Sequence, residues 1–140
     1  MKKYVKTCLI YNIMCSIIGY FGHDEAAPTL VRGLKRMEYR GYDSVGILTN
    51  SDNKFTLKKG VGKVSEVNMN LGLDQLHGSM GIGHTRWATH GKVTTKNAHP
   101  HLSNSGKIAI VHNGIIENFK DLRSNLQNKG YEFLSETDTE

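Results

Sequence analysis

Four stretches of the sequence carry side chains that could together perform acyl chemistry. Cys15 follows Met14 and precedes the apolar run Ser16-Ile17-Ile18-Gly19-Tyr20. If Cys15 were the first residue, its thiol and a free amine would share one α-carbon. An α-amine has an unperturbed pKa of about 7.7–8.0, so at neutral pH it can take the thiol proton. Arg86, in Arg86-Trp87-Ala88-Thr89-His90, can hold a carboxylate through two parallel hydrogen bonds. Asn113-Gly114 sets a side-chain amide beside a backbone N–H, the makings of an oxyanion hole. One such donor can be worth about 3–4 kcal/mol in a transition state. Asp138, within Glu136-Thr137-Asp138-Thr139-Glu140, can pair with an ammonium.

Each residue also has a plainer reading. Cysteine is often a small buried hydrophobe, Arg86 could be a surface charge, Asn-Gly a turn between strands, and the acidic end a solvated tail. A helical pattern follows Asn113-Gly114 where a hairpin would need a strand, which weakens the turn reading. Taken together, the four stretches suit an amino-acid substrate with a reactive side-chain carbonyl. Its carboxylate would go to Arg86, its ammonium to Asp138, and its carbonyl to Cys15, with Asn113 and Gly114 holding the oxyanion. Glutamine fits. The histidines His84, His90, His99, His101 and His112 raise a metal reading, but their spacings match no zinc motif such as HExxH. No metal and no cofactor is called for.

Composition bounds the rest. A chain of 140 residues fits one small domain, and its 15 glycines against 2 prolines make glycine the turn former. The net charge of +5 is scattered as pairs such as Lys35-Arg36 and Lys58-Lys59. That pattern argues for a solvated surface rather than nucleic-acid binding. Cys8 and Cys15 are too few for a disulfide framework, so a reducing cytoplasm is the expected compartment. Residues 1–14 begin basic with a short apolar patch broken at Asn12, which predicts an extension or mis-called start rather than a signal peptide. No stretch is long enough to span a membrane.

The elements that must position these residues follow from periodicity. Ser16–Phe21 predicts a buried strand. A helix is predicted from about Ala26, capped by Asp24, with Leu30, Val31, Leu34 and Met37 on one face, ending near residues 39–41. Residues 45–49 and 54–59 read as a hairpin around Ser51-Asp52-Asn53, and residues 64–76 as short helical pieces. Residues 80–84 form a strand leading to Arg86, residues 92–106 a loop, and residues 107–111 a buried strand. A second helix over Phe119–Asn128 has Asn118 as its cap, Phe119, Leu122 and Leu126 as its apolar face and Gly130 as C′. Residues 131–134 begin another strand. The order suggests α+β.

These motifs resemble a known family, the class II glutamine amidotransferases of the N-terminal-nucleophile type. The resemblance rests on Cys15-Ser16-Ile17-Ile18-Gly19, on residues 34–44 (LKRMEYRGYDS), and on residues 83–91 (GHTRWATHG). It continues in residues 97–101 (NAHPH), 112–118 (HNGIIEN) and 135–140 (SETDTE), in the family's order. The wording of residues 38–42 and 87–90 is nearer the branch that aminates fructose 6-phosphate. The purine-pathway phosphoribosyl amidotransferases share the Cys, Arg and Asn-Gly positions. The resemblance implies the N-terminal part of an αββα four-layer sandwich over residues 15–140, incomplete at its C-terminus and without sugar-isomerase domains. It implies Cys15 as nucleophile with its α-amine as base, and Asn113 and Gly114 as the oxyanion hole. Arg86, Thr89, His90 and Asp138 would bind L-glutamine, and Trp87 would gate the ammonia path. Fructose 6-phosphate would bind only through domains absent here, and the full-length family would be homodimeric. Without those domains, the alternative is a non-catalytic remnant that binds glutamine or a full-length homologue.

Overall fold

The computed structural model describes residues 15–88 and 91–140. Its order is β1 (Ser16–Phe21), α1 (Ala26–Met37), β2 (Ser44–Ser51), β3 (Lys54–Val61), α2 (Val64–Leu71), β4 (Met80–Arg86), β5 (His101–Leu102), β6 (Ala109–Ile110) and α3 (Phe119–Asn128). Strands β1-β4-β2-β3 form one antiparallel sheet in that order, and β5 pairs with β6 in a second.

Helix α1 covers one face of the larger sheet. Leu30 and Leu34, four apart and hence one above the other, are fully buried there against Val45 and Ile47 of β2. Gly83 of β4 lets the helix approach, since a Cβ there would lie 3.0 Å from both Leu34 Cδ1 and Ile47 Cγ2. Helix α2 adds Val64 and Val67 to the same core. Its first N–H groups are met from outside and within: Glu38 accepts Val64 N–H at 2.6 Å, and Glu66 accepts Lys63 N–H at 3.2 Å. The β2–β3 turn has Asp52 and Asn53 at φ of 51° and 61°, the left-handed pair that a two-residue hairpin needs.

The opposite face of the sheet receives residues 95–101, and Lys59 of β3 fastens them. Its ammonium donates to the carbonyls of Ala98 (2.6 Å), Pro100 (3.2 Å) and Lys96 (3.3 Å). Burial pulls the Lys59 pKa below the usual lysine value, against the nearby Glu140 charge. Gly46 pairs with Lys59 in register and leaves room for the His99 carbonyl. Helix α3 packs through Arg123, which donates to Thr137 O at 2.8 Å and lies over the Phe133 ring at 4.7 Å. The helix ends in a Schellman motif: Gly130 N–H bonds Gln127 O and Tyr131 N–H bonds Leu126 O. The class is α+β, with helices on one face of a sheet and a second ladder on the other, the N-terminal part of an αββα arrangement.

Six expectations need correction. Asp24 does not cap α1; Glu25 stands at that position, without a side-chain cap bond. Asn118 likewise makes none at α3. Residues 107–111 are not a buried strand. Only Ala109–Ile110 pairs, and Ile108 and Ile110 are exposed, because among the described residues only the two-residue β5 pairs with it. Residues 131–134 form no strand, and Leu134 is 75% exposed. The face of α3 carrying Leu122 and Leu126 is not buried. The loop at 92–106 in turn contains β5 and a 3-10 turn, Thr95–Asn97.

Gly46→Ala should lower stability by about 1–3 kcal/mol through overpacking against the His99 carbonyl. Gly19→Ala, with nothing within 4 Å of its Cβ position, should change it by less than about 1 kcal/mol. Urea melts of the two variants check this; equal midpoints would remove Gly46 as the point of close approach.

Candidate active site

Antiparallel pairing of β1 with β4 sets Ser16 opposite Thr85, so Cys15 emerges beside the end of β4. There Trp87 N–H donates to Cys15 Sγ at 3.1 Å, and the thiol lies 3.6 Å from Trp87 O. Asp43 shapes this turn: its N–H donates to Arg86 O at 2.7 Å, and its carboxylate accepts Ala88 N–H and, at 2.8 Å, the Ser44 hydroxyl.

Asn113 reaches the same point from the other side of the sheet. Its Nδ2 donates to Cys15 O at 3.0 Å, and its Oδ1 lies 2.7 Å from His84 Nε2. One of the two amide hydrogens remains for another acceptor. Gly114 follows, exposed, and a Cβ there would come within 2.6 Å of the His112 ring.

Arg86 is 5% exposed and donates from Nη1 to Lys92 O at 3.2 Å. Gly91, at φ 74°, brings the chain close beside it: a Cβ there would be 3.7 Å from Arg86 Nη2 and 3.6 Å from Glu136 Cβ. Asn97, fully buried, joins this loop to residues 135–140. It donates to Lys92 O (2.9 Å) and Glu136 Oε2 (3.1 Å), and its Oδ1 accepts Glu136 N–H (2.9 Å). Asp138 Oδ2 accepts Ile116 N–H at 2.7 Å. A cavity of about 140 Å³ under α3 includes Asp138, Phe119 and Phe133, but neither Cys15 nor Arg86.

Three histidines occupy the layer between. His84 and His99 stack at 4.3 Å, and His101 meets His99 edge-on at 4.6 Å. Burial, followed by the neighbouring rings of His84 and His101 and then by the Arg86 and Lys59 charges, depresses the His99 pKa to about 2. Burial takes His84 to about 4 against its hydrogen bond with Asn113, and burial with the Lys59 charge takes His101 to about 4 against the Glu140 charge. These rings are therefore neutral at pH 7, and they face one another rather than converging on a common ligand.

The sequence-named residues thus fall into two neighbouring groups: Trp87 and Asn113, which Gly114 follows in the chain, bonded to Cys15, and Arg86 with the loop joined to residues 135–140, which include Asp138. Thr89 and His90 lie outside the described residues. Sequence reasoning assigned no role to Asp43, Asn97 or Lys59, and considered His84 only as a metal ligand. Each has a partner 29 to 45 residues away; Asp43, His84 and Asn97 fall inside the signature stretches, and Lys59 falls in none.

Residues 72–140 match the family described as glutamine amidotransferase domain. The fold is that of a solved B. subtilis glutamine phosphoribosylpyrophosphate amidotransferase, with a TM-score of 0.76 and 35% identity over 88% of this chain and 27% of that one. Over residues 72–140 the chain belongs to the glutamine amidotransferase domain family, and the fold shared with the solved enzyme extends that likeness over 88% of its length. The sequence is 55% identical to the glutamine–fructose-6-phosphate aminotransferase (isomerizing) of Pyrococcus horikoshii, 56% to that of Methanococcus maripaludis and 53% to that of Clostridium perfringens. Each match covers 91% of this chain and 21% of the relative, so the chain spans about a fifth of their length. No helix among the described residues is long and apolar enough to cross a membrane.

Acid should weaken this fold in a particular window. Unfolded histidine takes a proton near pH 6.5, whereas His84 and His101 resist it until about pH 4 and His99 until about 2. The unfolded state therefore binds more protons as pH falls, and stability drops by up to about 1.4 kcal/mol per unit for each ring below pH 6.5. Denaturant midpoints at pH 7.5 and 5 should show the fall, and replacing His101 with Gln should reduce the slope. A flat profile would contradict neutral burial.

Proposed function

We propose that this chain is the glutaminase part of a glutamine–fructose-6-phosphate aminotransferase, releasing ammonia from L-glutamine. The hydrogen-bonded contact of Cys15 Sγ with Trp87 N–H, beside the Asn113 amide, carries the reading. Identity of 51–56% to those aminotransferases, against 35% to the phosphoribosylpyrophosphate amidotransferase, favours the fructose 6-phosphate branch.

The chemistry runs as follows. The Cys15 α-amine takes the thiol proton, and the thiolate adds to the glutamine carboxamide carbon. The oxyanion forms on the spare hydrogen of Asn113 Nδ2 and on Gly114 N–H. The α-ammonium returns its proton as the C–N bond breaks, so ammonia leaves and a γ-glutamyl thioester remains. Water, deprotonated by the same amine, attacks the thioester and frees glutamate and the thiol. Arg86, with Thr89 and His90, holds the α-carboxylate, and Asp138 the α-ammonium. Trp87, 40% exposed beside the thiol, gates ammonia toward the domains that bind fructose 6-phosphate. The base must be an amine and not an amide, so the working protein begins at Cys15, with residues 1–14 untranslated or removed. The setting is the cytoplasm, and the whole enzyme is a homodimer.

Ammonia release from L-glutamine tests the assignment. A protein beginning at Cys15 should turn over, and Cys15→Ala should abolish it. Asn113→Ala should lower kcat by about 10²–10³, and Arg86→Lys should act chiefly on KM through loss of the bidentate carboxylate grip. Equal rates with residues 1–14 retained would overturn the α-amine as base.

A further inference from the structure

The mechanism gives no part to the residue that holds the Asn113 amide in place. That residue is His84, which stands on β4 at 1% exposure, opposite Gly46 of β2 and Ile17 of β1. Its Nε2 lies 2.7 Å from Asn113 Oδ1, and its Nδ1 is buried without a partner.

We propose that His84 is the positioning residue for the oxyanion donor: its Nε2–H holds Asn113 Oδ1 and so turns Nδ2 toward the substrate carbonyl. The inference rests on the reading of Asn113 as that donor. An asparagine amide can flip end for end, and only one orientation offers N–H to a developing oxyanion. Two features select that orientation. The flipped amide would set Oδ1 against Cys15 O, two acceptors facing each other where a 3.0 Å hydrogen bond now stands. It would also require Nε2 of His84 to accept, moving the ring proton to Nδ1, which is buried with no hydrogen-bond partner among the described residues. A buried donor left unmet is unfavourable. Burial keeps the ring neutral, so it carries a single proton.

The ring itself is fixed by His99, stacked on it at 4.3 Å and 17° between planes. His99 Nδ1 in turn accepts His112 N–H at 3.3 Å, one residue before Asn113. Side chain and backbone of the Asn113 region are thereby tied to the same pair of rings. A ring present only to fill space would serve equally well as phenylalanine, which separates the two roles by experiment.

Steady-state ammonia release and ¹⁵N spectra of the protein beginning at Cys15 provide the test. His84→Phe should lower kcat about ten- to a hundredfold with the glutamine KM little changed, because the donor would be misaimed rather than removed. His84→Gln, whose amide N–H can reach Oδ1, should restore most of the rate. In an Asn113→Ala background, His84→Phe should have no further effect on kcat. The ¹⁵N spectrum of the parent should show His84 as the neutral Nε2–H tautomer, a readout that needs neither activity nor a folded variant. A loss that adds to that of Asn113→Ala, a rise in KM alone, or an Nδ1–H tautomer would overturn the proposal. If Asn113→Ala slows turnover and His84→Phe does not, this inference fails by itself. If Asn113→Ala leaves kcat unchanged, the oxyanion reading fails with it.

Discussion

The register of one strand pair underlies everything at the site. Because Ser16 faces Thr85, the residue before β1 meets the turn after β4, and a thiol meets a backbone N–H. Strand faces alternate, so a slip of one residue would turn Ser16 out of the sheet and carry Cys15 away from Trp87. Leu30 and Leu34 hold the register from one side, since they fit only where Gly81 and Gly83 leave the face open.

The other side of the sheet depends on a half-buried cation. Lys59 gathers three carbonyls from residues 96–100 and brings His99 and His101 down onto β4. With Lys59 and Arg86 close by, protonated histidines there would meet both desolvation and like charge, and neutral rings are the stable choice. Structural and chemical demands coincide here. The neutral layer that lets residues 95–101 pack also gives the Asn113 amide a single-proton partner.

What the sequence made legible was local. The amphipathic faces of α1, the Asp-Asn hairpin turn and Gly130 after α3 are each decided within a few residues, and all appear as expected. The strands at 107–111 and 131–134 did not form as read, because an apolar run becomes a strand only where a partner edge accepts it. At the site, residue types and signature spacing pointed to Cys15, Arg86, Asn113, Gly114 and Asp138. Asp43, Lys59 and His84 were illegible in those roles. Asp43 contacts Ala88 across 45 positions, Lys59 reaches Ala98 across 39, and His84 meets Asn113 across 29. Such separations carry no periodic signal.

The central claim is a covalent one: Cys15 carries the γ-glutamyl group during turnover. Acid-quenched protein, taken while it hydrolyses glutamine and analysed by intact and peptide mass spectrometry, tests it most directly. The account predicts a mass increase of one γ-glutamyl group, confined to the peptide that begins at Cys15. Ammonia release with no adduct, or with the adduct on another residue, would contradict it.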